Sequence, residues 1–571
     1  MEDVILKILI KAIKEEGLQL KEEEIKKFIE VPPTPDKGDY AFPCFFLASK
    51  LKSPPSEVAL NIRGHIKDIP KGFDDIQTSG PYINFFVDRK ELAKKLIEQI
   101  KFDADRYGRI KQSGIKTMVE FPSPNTNKPL HLGHLRNMTI GESVSRISEF
   151  YGEKVIRANL NNDRGIHICK SMAAYDKYGK NKKPTKKQKS DHFVGDYYVL
   201  FNQKEKTDFQ MEQESHRMLQ EWEAGDKKVI ALWKKMNKWA LDGFKQTYKR
   251  FGIYHDVEYF ESQIYEKGKE IVEKGLKDNI FTKKDGFVIA DLKKEGFGEK
   301  VLLREDGTSI YITQDLYLAQ LKYNKHKLDK SIYVVGNEQN YHFDVLFTIL
   351  KKLGLKTEGM KHLSYGMVNL PEGRMKSREG TVVDADNLID EVQNLVKEEL
   401  KSRYKLNKKQ LEERSLKIAL AAIKYILLKV DTKKDMIFNP KESIDFEGDT
   451  GPYILYSYAR ASSILKKLKK KKSSESADKE YSIEELEEKE IALLKKLADF
   501  KEILAKSFSE LNPSILANYA YSLAKTFNEF YHACPVLHSD KEKFRVDLVI
   551  CFKQVLANSL NLLGIEPLEQ M

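Results

Sequence analysis

Thr117-Met118-Val119-Glu120-Phe121 followed by Pro124-Asn125-Thr126-Asn127-Lys128-Pro129-Leu130-His131-Leu132-Gly133-His134 reads as a strand, a loop and the first turn of a helix. The helix continues with Leu132, Leu135, Met138, Gly141, Val144, Ile147 and Tyr151 on one face, the 3.6-residue period of a packed helix. Lys154–Leu160 is the next strand. A strand, a helix and a strand in that order predict a parallel sheet. Strands at Ile332–Val335 and Ser364–Leu370 extend it after an insertion over about 175–300, which includes the exposed loop Lys182–Lys187. Ahead of the sheet, an amphipathic helix (Val4, Ile5, Ile8, Leu9, Ala12, Ile13) and a strand at Pro81–Val87 predict an α+β domain. Beyond residue 400, Leu416, Ala419, Leu420, Ile423, Leu427 and Val430 open a region that is helical to Met571. The expected architecture is multi-domain α/β. An N-terminal domain spans 1–112, a Rossmann-like parallel-sheet domain 113–400, and an all-α domain 401–571.

The 571 residues, 41% hydrophobic and 32% charged, suffice for several domains of about 100–200 residues each. No apolar run nears the roughly 18–20 residues of a membrane helix, and Met1–Phe28 alternates apolar residues with Lys and Glu unlike a signal peptide, so a cytoplasmic protein is expected. Cys44, Cys169, Cys534 and Cys551 form no CxxC pair and are read as reduced, buried thiols; no protein-held metal is expected. The net charge of +12 suits a soluble chain or one with a polyanionic partner.

Two segments carry chemistry. The loop Pro124–Leu130 leads into a helix whose first backbone N–H groups and positive dipole end suit a nucleotide phosphate. His131 and His134 lie on one side of the first turn, where both can donate to phosphate oxygens, and Gly133 leaves room for adenine or ribose. Downstream, Arg374-Met375-Lys376-Ser377-Arg378-Glu379-Gly380 places three cations in five residues, enough to fold over a triphosphate.

These segments resemble the two signatures of class I aminoacyl-tRNA synthetases: His131-Leu132-Gly133-His134 matches "HIGH", and Arg374–Arg378 is a degenerate "KMSKS". Further stretches narrow the resemblance to arginyl-tRNA synthetases. They are Glu120–Asn125, Tyr311–Asp315, Val334–Gln339, Asp449–Tyr453, Asn561–Ile565 and, in the N-terminal domain, Gly38–Ala41 and Gly80–Asn84. The resemblance implies that ATP, with Mg²⁺, activates L-arginine to arginyl-adenylate. The arginyl group then passes to the 3′-terminal adenosine of tRNA(Arg), with the C-terminal domain binding the anticodon and a monomer as the expected state.

Carried over residue by residue, Lys128, His131, His134, Lys376 and Arg378 are the catalytic candidates. Where the second signature usually has its second lysine this chain has Ser377, so phosphate stabilisation falls mainly on Lys128. Gly133, Met375, His131, His134 and His342 are candidates for ATP, His342-Phe343 being equally readable as a core pair at a helix start. Glu120, Asn125, Tyr311, Asp315 and Gln339 are candidates for arginine. Asp315 is the carboxylate expected to fork onto the guanidinium, four residues after Tyr311 on one helical face. Asn84, Tyr453, Tyr456 and Arg460 are candidates for tRNA, the two tyrosines equally readable as core. Residues 161–167 resemble a pocket-lining loop without assignable roles. A nucleotidylyltransferase would share the first signature but needs no helical C-terminal domain. A silent tRNA-binding relative would not need His131, His134, Asp315 and Gln339 intact.

Overall fold

The computed structural model describes residues 1–34, 37–179, 181–305, 311–371, 383–471 and 485–571. The chain divides into two compact units. The first consists of Met1–Ala104 together with Glu475–Lys495 and Ala533–Cys551. In it β1 (Tyr40–Pro43), β2 (Phe73–Ser79) and β3 (Tyr82–Val87) form an antiparallel sheet in the order β1-β3-β2. The β2–β3 hairpin turns at Gly80-Pro81, where Gly80 has φ +57°. The helices Glu2–Glu15 and Pro55–Gly64 pack on the sheet through Ile5, Leu9, Ile13, Val58 and Ile62 against Phe42, Ile83 and Phe85. Asn84 sits in the central strand and is only 5% exposed. The side chain expected to meet tRNA is thus mostly closed off, with Gly38 lying close beside its Cβ. In the same unit Lys101 pairs with Asp547 at 2.7 Å and Arg545 with Glu490 at 2.7 Å.

The second unit holds a five-stranded parallel sheet. Its strands are β4 (Lys116–Glu120), β5 (Lys154–Asn161), β6 (Val257–Phe260), β10 (Lys330–Gly336) and β11 (Met360–Tyr365), in the order β11-β10-β4-β5-β6. Two expectations shift. The sheet resumes at β6, inside the span read as an insertion, because a four-residue strand leaves too little apolar pattern to detect. The last strand begins at Met360, not Ser364, and ends before Gly366, where any side chain would strike the backbone of Lys434 and Asp435. The rest of the insertion includes the helices Ser190–Lys204, Gln210–Glu223, Lys227–Phe251 and Lys267–Lys277 and a small antiparallel sheet of β7 (Thr282–Lys284), β8 (Phe287–Leu292) and β9 (Gly298–Leu303). Lys182, Lys183, Lys186 and Lys187 are exposed. Lys189 is not: its ammonium lies 2.9 Å from Asp191 and 2.7 Å from Asp386. The C-terminal helices include Lys408–Lys429, whose Asn407 N-cap and Gln410 form a capping box, and Gly451–Lys471.

The helix Leu132–Phe150 is buried on nearly its whole circumference, where the sequence predicted one apolar face. Of its buried hydroxyls, Thr139 donates to the Leu135 carbonyl at 2.6 Å, Ser145 to that of Gly141 at 2.7 Å and Ser143 to that of Leu562 at 3.0 Å. Its buried Glu142 pairs with Arg157 of β5 at 2.8 Å, and Arg157 also forks onto Glu149 at 2.7 and 3.0 Å. Gly141 lies directly against Phe121 at the end of β4, with no space for a Cβ. Gly141→Ala should therefore destabilise by about 1–3 kcal/mol through overpacking, despite a helix-propensity gain near 1 kcal/mol. Gly64→Ala, at a helical position with nothing within 4 Å, should be neutral or slightly stabilising. Urea unfolding midpoints of the two variants measure the contrast.

Candidate active site

At the carboxyl ends of β4, β5 and β10 the second unit opens into a cavity of about 1330 Å³. This is the edge where open parallel sheets bind ligands. Two helix N-termini face it, at Leu132 and at Ile166, the latter entered through Gly165 at φ +102°. The lining includes Glu120, Asn125, His131, Gly133, His134, Asp315, Gln339 and His342. Eight of the sequence candidates thus meet in one site.

His131 is the N-cap of its helix, and its Nδ1 accepts the Gly133 N–H at 3.1 Å. His134 folds back so that its Nδ1 accepts the His131 N–H at 3.1 Å, and the two rings lie 3.9 Å apart. With both Nδ1 atoms accepting, each neutral ring carries its proton on Nε2. Burial, reinforced by Lys128, lowers the His131 imidazole to about 3. Burial, then His131 and Lys128, drive that of His134 far down. Both are neutral donors at physiological pH. The Lys128 ammonium is itself held below its usual value by burial. The room left by Gly133 is taken by the His131 ring, whose Cε1 lies 3.0 Å from where a Cβ would stand, so this glycine seats the histidine.

On the other wall the helix Tyr311–His326 presents Asp315, Leu318, Ala319 and Lys322, spaced 3, 4 and 7 residues from Asp315, as one face. Asp315 Oδ2 is 2.7 Å from His342 Nε2, and this bond raises the His342 imidazole above 6.5. His342 is thus engaged with the carboxylate expected to bind arginine, while Phe343 packs in the core on His362, ring centres 4.3 Å apart. Two lining residues escaped the sequence reading. Glu261, 7% exposed, is pushed up to about 7 by burial first, with Asp163 and Asp315 adding like charge against the pull of Arg164. Lys322, fully buried, makes an ion pair with Glu120. Continuing the Asp315 face for two turns would have pointed to Lys322. Glu261 follows the undetected β6 and had no such signal.

The loop Asn161–His167 borders the cavity through Asn162, Arg164, Gly165, Ile166 and His167. Asp163 accepts from the Ser262 N–H at 2.8 Å and its hydroxyl at 2.7 Å, and Arg164 lies 3.9 Å over the Tyr265 ring. Asn125 is exposed and bridged through its backbone to Asn162. Arg374, Met375, Lys376 and Arg378 lie outside the described residues, as does the side chain of Tyr311, the first residue of its helix. Both flanks of that second segment are tied to the first signature. The fully buried Arg136 donates to the carbonyls of Gly366 at 2.6 Å and Met367 at 3.0 Å. Leu132 N–H donates to the Val383 carbonyl at 3.0 Å, and Ala385 N–H to that of Leu130 at 2.9 Å. Of the groups of possible metal ligands among the described residues, none lies in the cavity. In the group His192, Asp384 and Asp386, His192 pairs with Asp384 at 3.1 Å and Lys189 with Asp386 at 2.7 Å; in the group Glu487, Glu490 and Cys534, both glutamates pair with Arg545.

On the helix Gly451–Lys471, Tyr453, Tyr456 and Arg460 are half-buried and joined to one another. Arg460 donates to Asn528 at 2.5 Å and lies 4.8 and 5.0 Å over the rings of Tyr456 and Tyr531, while Asn528 donates to the Tyr453 hydroxyl at 2.9 Å. Tyr458 is the buried one.

Residues 96–440 match the family of tRNA synthetases class I (R), catalytic domain; residues 454–571 match the DALR anticodon binding domain, and residues 3–87 the arginyl tRNA synthetase N terminal domain. An arginine–tRNA ligase of Treponema denticola is 46% identical over 560 residues, covering 95% of this chain and 94% of its own. One from Borrelia hermsii is 42% identical over 583 residues, covering 99% and 98%. The solved arginyl-tRNA synthetase of Thermus thermophilus superposes over the full length of both chains with a TM-score of 0.79 at 25% identity. With three matching domains in order and relatives alike over almost the whole length, the chain belongs to the arginyl-tRNA synthetases of class I.

Proposed function

We propose that this chain joins L-arginine to tRNA(Arg) in two steps within the cavity. The arginine carboxylate attacks the ATP α-phosphorus, giving arginyl-adenylate and pyrophosphate. The 3′-terminal adenosine hydroxyl of the tRNA then attacks the activated carbonyl and releases AMP. Neither step needs a side-chain nucleophile, so rate comes from positioning and charge stabilisation. The observation that carries the reading is the coexistence, in one cavity, of two neutral imidazole donors at a helix N-terminus and a pair of crowded carboxylates on the opposite wall. The first suits a polyphosphate; the second suits a cationic side chain that relieves the repulsion between Asp315 and Glu261.

In this reading His131 and His134 donate through Nε2 to phosphate oxygens, and Lys128 adds charge beside them. Lys376 and Arg378 approach the leaving pyrophosphate from the segment whose flanks Arg136 and Leu132 fix, with Met375 beside the nucleotide. Mg²⁺ enters with ATP as part of the substrate, since among the described residues no group of possible metal ligands lies in the cavity. Asp315, with Glu261, forks onto the guanidinium in two parallel hydrogen bonds that lysine cannot duplicate. Tyr311 closes the same end; Asn125 and Gln339 wall the backbone end. Tyr453, Tyr456 and Arg460 offer aromatic and guanidinium faces to anticodon bases, and Asn84 contributes to the tRNA-facing N-terminal domain through its sheet. All the cavity residues come from one chain, so the reading requires only a monomer. No described helix is long and apolar enough to cross a membrane, in keeping with a place among the cytoplasmic translation enzymes.

Arginine-dependent ATP–pyrophosphate exchange, with and without tRNA and with lysine and cysteine as controls, is the direct test. Absence of exchange with arginine plus tRNA would overturn the reading. Lys128→Ala should lower the activation rate about 10²- to 10³-fold, as for loss of one preorganised donor. Rates within a few-fold of wild type would remove Lys128 from the mechanism.

Asp315→Ala should raise the arginine KM by orders of magnitude and leave the ATP KM nearly unchanged. The His342–Asp315 bond adds a pH dependence. His342 titrates above 6.5, so its charged pairing with Asp315 is complete below that value and is lost as pH rises through the raised one. The protonated imidazole competes with the substrate guanidinium for the same carboxylate. The arginine KM should therefore fall as pH rises past neutrality, and His342→Gln should flatten that dependence.

A further inference from the structure

Lys322 lies on the cavity face of the helix Tyr311–His326, two turns beyond Asp315, and is fully buried. Its Nζ donates to Glu120 Oε2, and it sits 4.7 Å over the ring of Tyr333 and 5.7 Å over that of Tyr259. Tyr333 and Glu120 are register partners on β10 and β4, so their side chains leave the sheet on the same side and Lys322 closes over both. Glu120 is 6% exposed and lines the cavity. Among the described residues no partner engages its Oε1.

A buried carboxylate alone is costly, and a buried ammonium alone equally so; together they hold each other in place. The pairing has a consequence for a substrate with two cationic ends. A guanidinium needs both oxygens of a carboxylate for its parallel fork, whereas an ammonium is satisfied by one. With Oε2 taken by Lys322, Glu120 offers a single oxygen. It is the wrong acceptor for the guanidinium and the right one for the α-ammonium.

We propose that Lys322 is a positioning residue for arginine selection: by occupying one oxygen of Glu120 it leaves the other for the α-ammonium, which fixes the direction in which arginine lies in the cavity. The inference rests on the activity proposed above. It is separable from it, because wild-type exchange tests that activity alone.

The experiment compares arginine with 5-guanidinopentanoate, which lacks the α-amino group, and with citrulline, which lacks the guanidinium charge, as inhibitors of exchange. Wild type should bind the des-amino analogue at least about tenfold more weakly than arginine. In Lys322→Met the arginine KM should rise at least about tenfold and the des-amino penalty shrink to within about threefold, with the citrulline penalty and the ATP KM kept within about twofold. Lys322→Arg, which restores a cation, should retain the penalty. Glu120→Gln, close in shape and independent of whether Lys322→Met folds, should lose it. The double variant should be no worse than Glu120→Gln alone, since the two groups act as one unit. A wild-type des-amino penalty in Lys322→Met or in Glu120→Gln overturns the proposal, as does a parallel loss of arginine and ATP affinity with the penalty intact.

Discussion

The guanidinium of Arg136 carries the arrangement of the site. It is fully buried in the helix that begins with the first signature, and its hydrogen bonds run to backbone carbonyls: Gly366, Met367, Lys434 at 2.8 Å and Thr432 at 3.4 Å. Burial holds it down to about 10, so it stays charged throughout the physiological range. Arginine suits this place because its planar fork serves several acceptors at once, which a lysine ammonium cannot do with the same geometry. The result is that two loops approaching from far apart in the sequence end on the same turn of one helix, beside His134. The tie between Leu130–Leu132 and Val383–Ala385 fastens the opposite flank of the second signature to that turn.

That helix is a poor candidate for such a role on propensity alone, since Gly141 and four Ser or Thr positions weaken it. Tertiary packing overrides the deficit. The small residues let the helix approach Phe121 and the strands, and the hydroxyls of Thr139 and Ser145 return to carbonyls of their own helix while that of Ser143 reaches the Leu562 carbonyl. Close approach brings the first turn to the rim of β4. There the histidines complete their own cap, an arrangement that settles tautomer and orientation before any substrate arrives. Burial alone would make two neutral imidazoles; the cap decides which nitrogen of each faces the nucleotide.

Local periodicity explains what the sequence made legible. The strand at Thr117–Phe121, the helix after it and the pair His131 and His134 at its start are signalled within windows of about 18 residues, where pattern and spacing are informative, whereas Glu120, Asn125 and Asp315 come from the resemblance. What escaped depends on partners distant in the chain. β6 is too short to show a period and takes its place only by pairing with β5. β11 starts four residues early because its register is set by β10 and its end by the backbone at Lys434. Glu261 acquires its character from burial, with Asp163 and Asp315 adding like charge, and Lys322 from Glu120, across 202 residues. Asn84, a candidate for tRNA, lies mostly covered on the central strand, with Gly38 brought close beside its Cβ. The charge of +12 likewise divides only in three dimensions: Lys182–Lys187 is largely solvated, while Lys189, next in the same run, is neutralised by Asp191 and Asp386.

The site is also where the protein is least content with itself. Glu261 is crowded by two carboxylates, Lys128 depresses the neighbouring imidazoles, and His342 takes a carboxylate that the reaction needs. Away from the cavity, buried charges such as Arg157 and Arg545 are matched by Glu142 and Glu490. Local conflict of this kind lowers stability and persists where it serves function. In the reading proposed above, each conflict is of a sign that one part of the substrate set would resolve: a guanidinium between Asp315 and Glu261, and phosphate oxygens among Lys128, His131 and His134, so that binding draws on repulsion already present in the free protein.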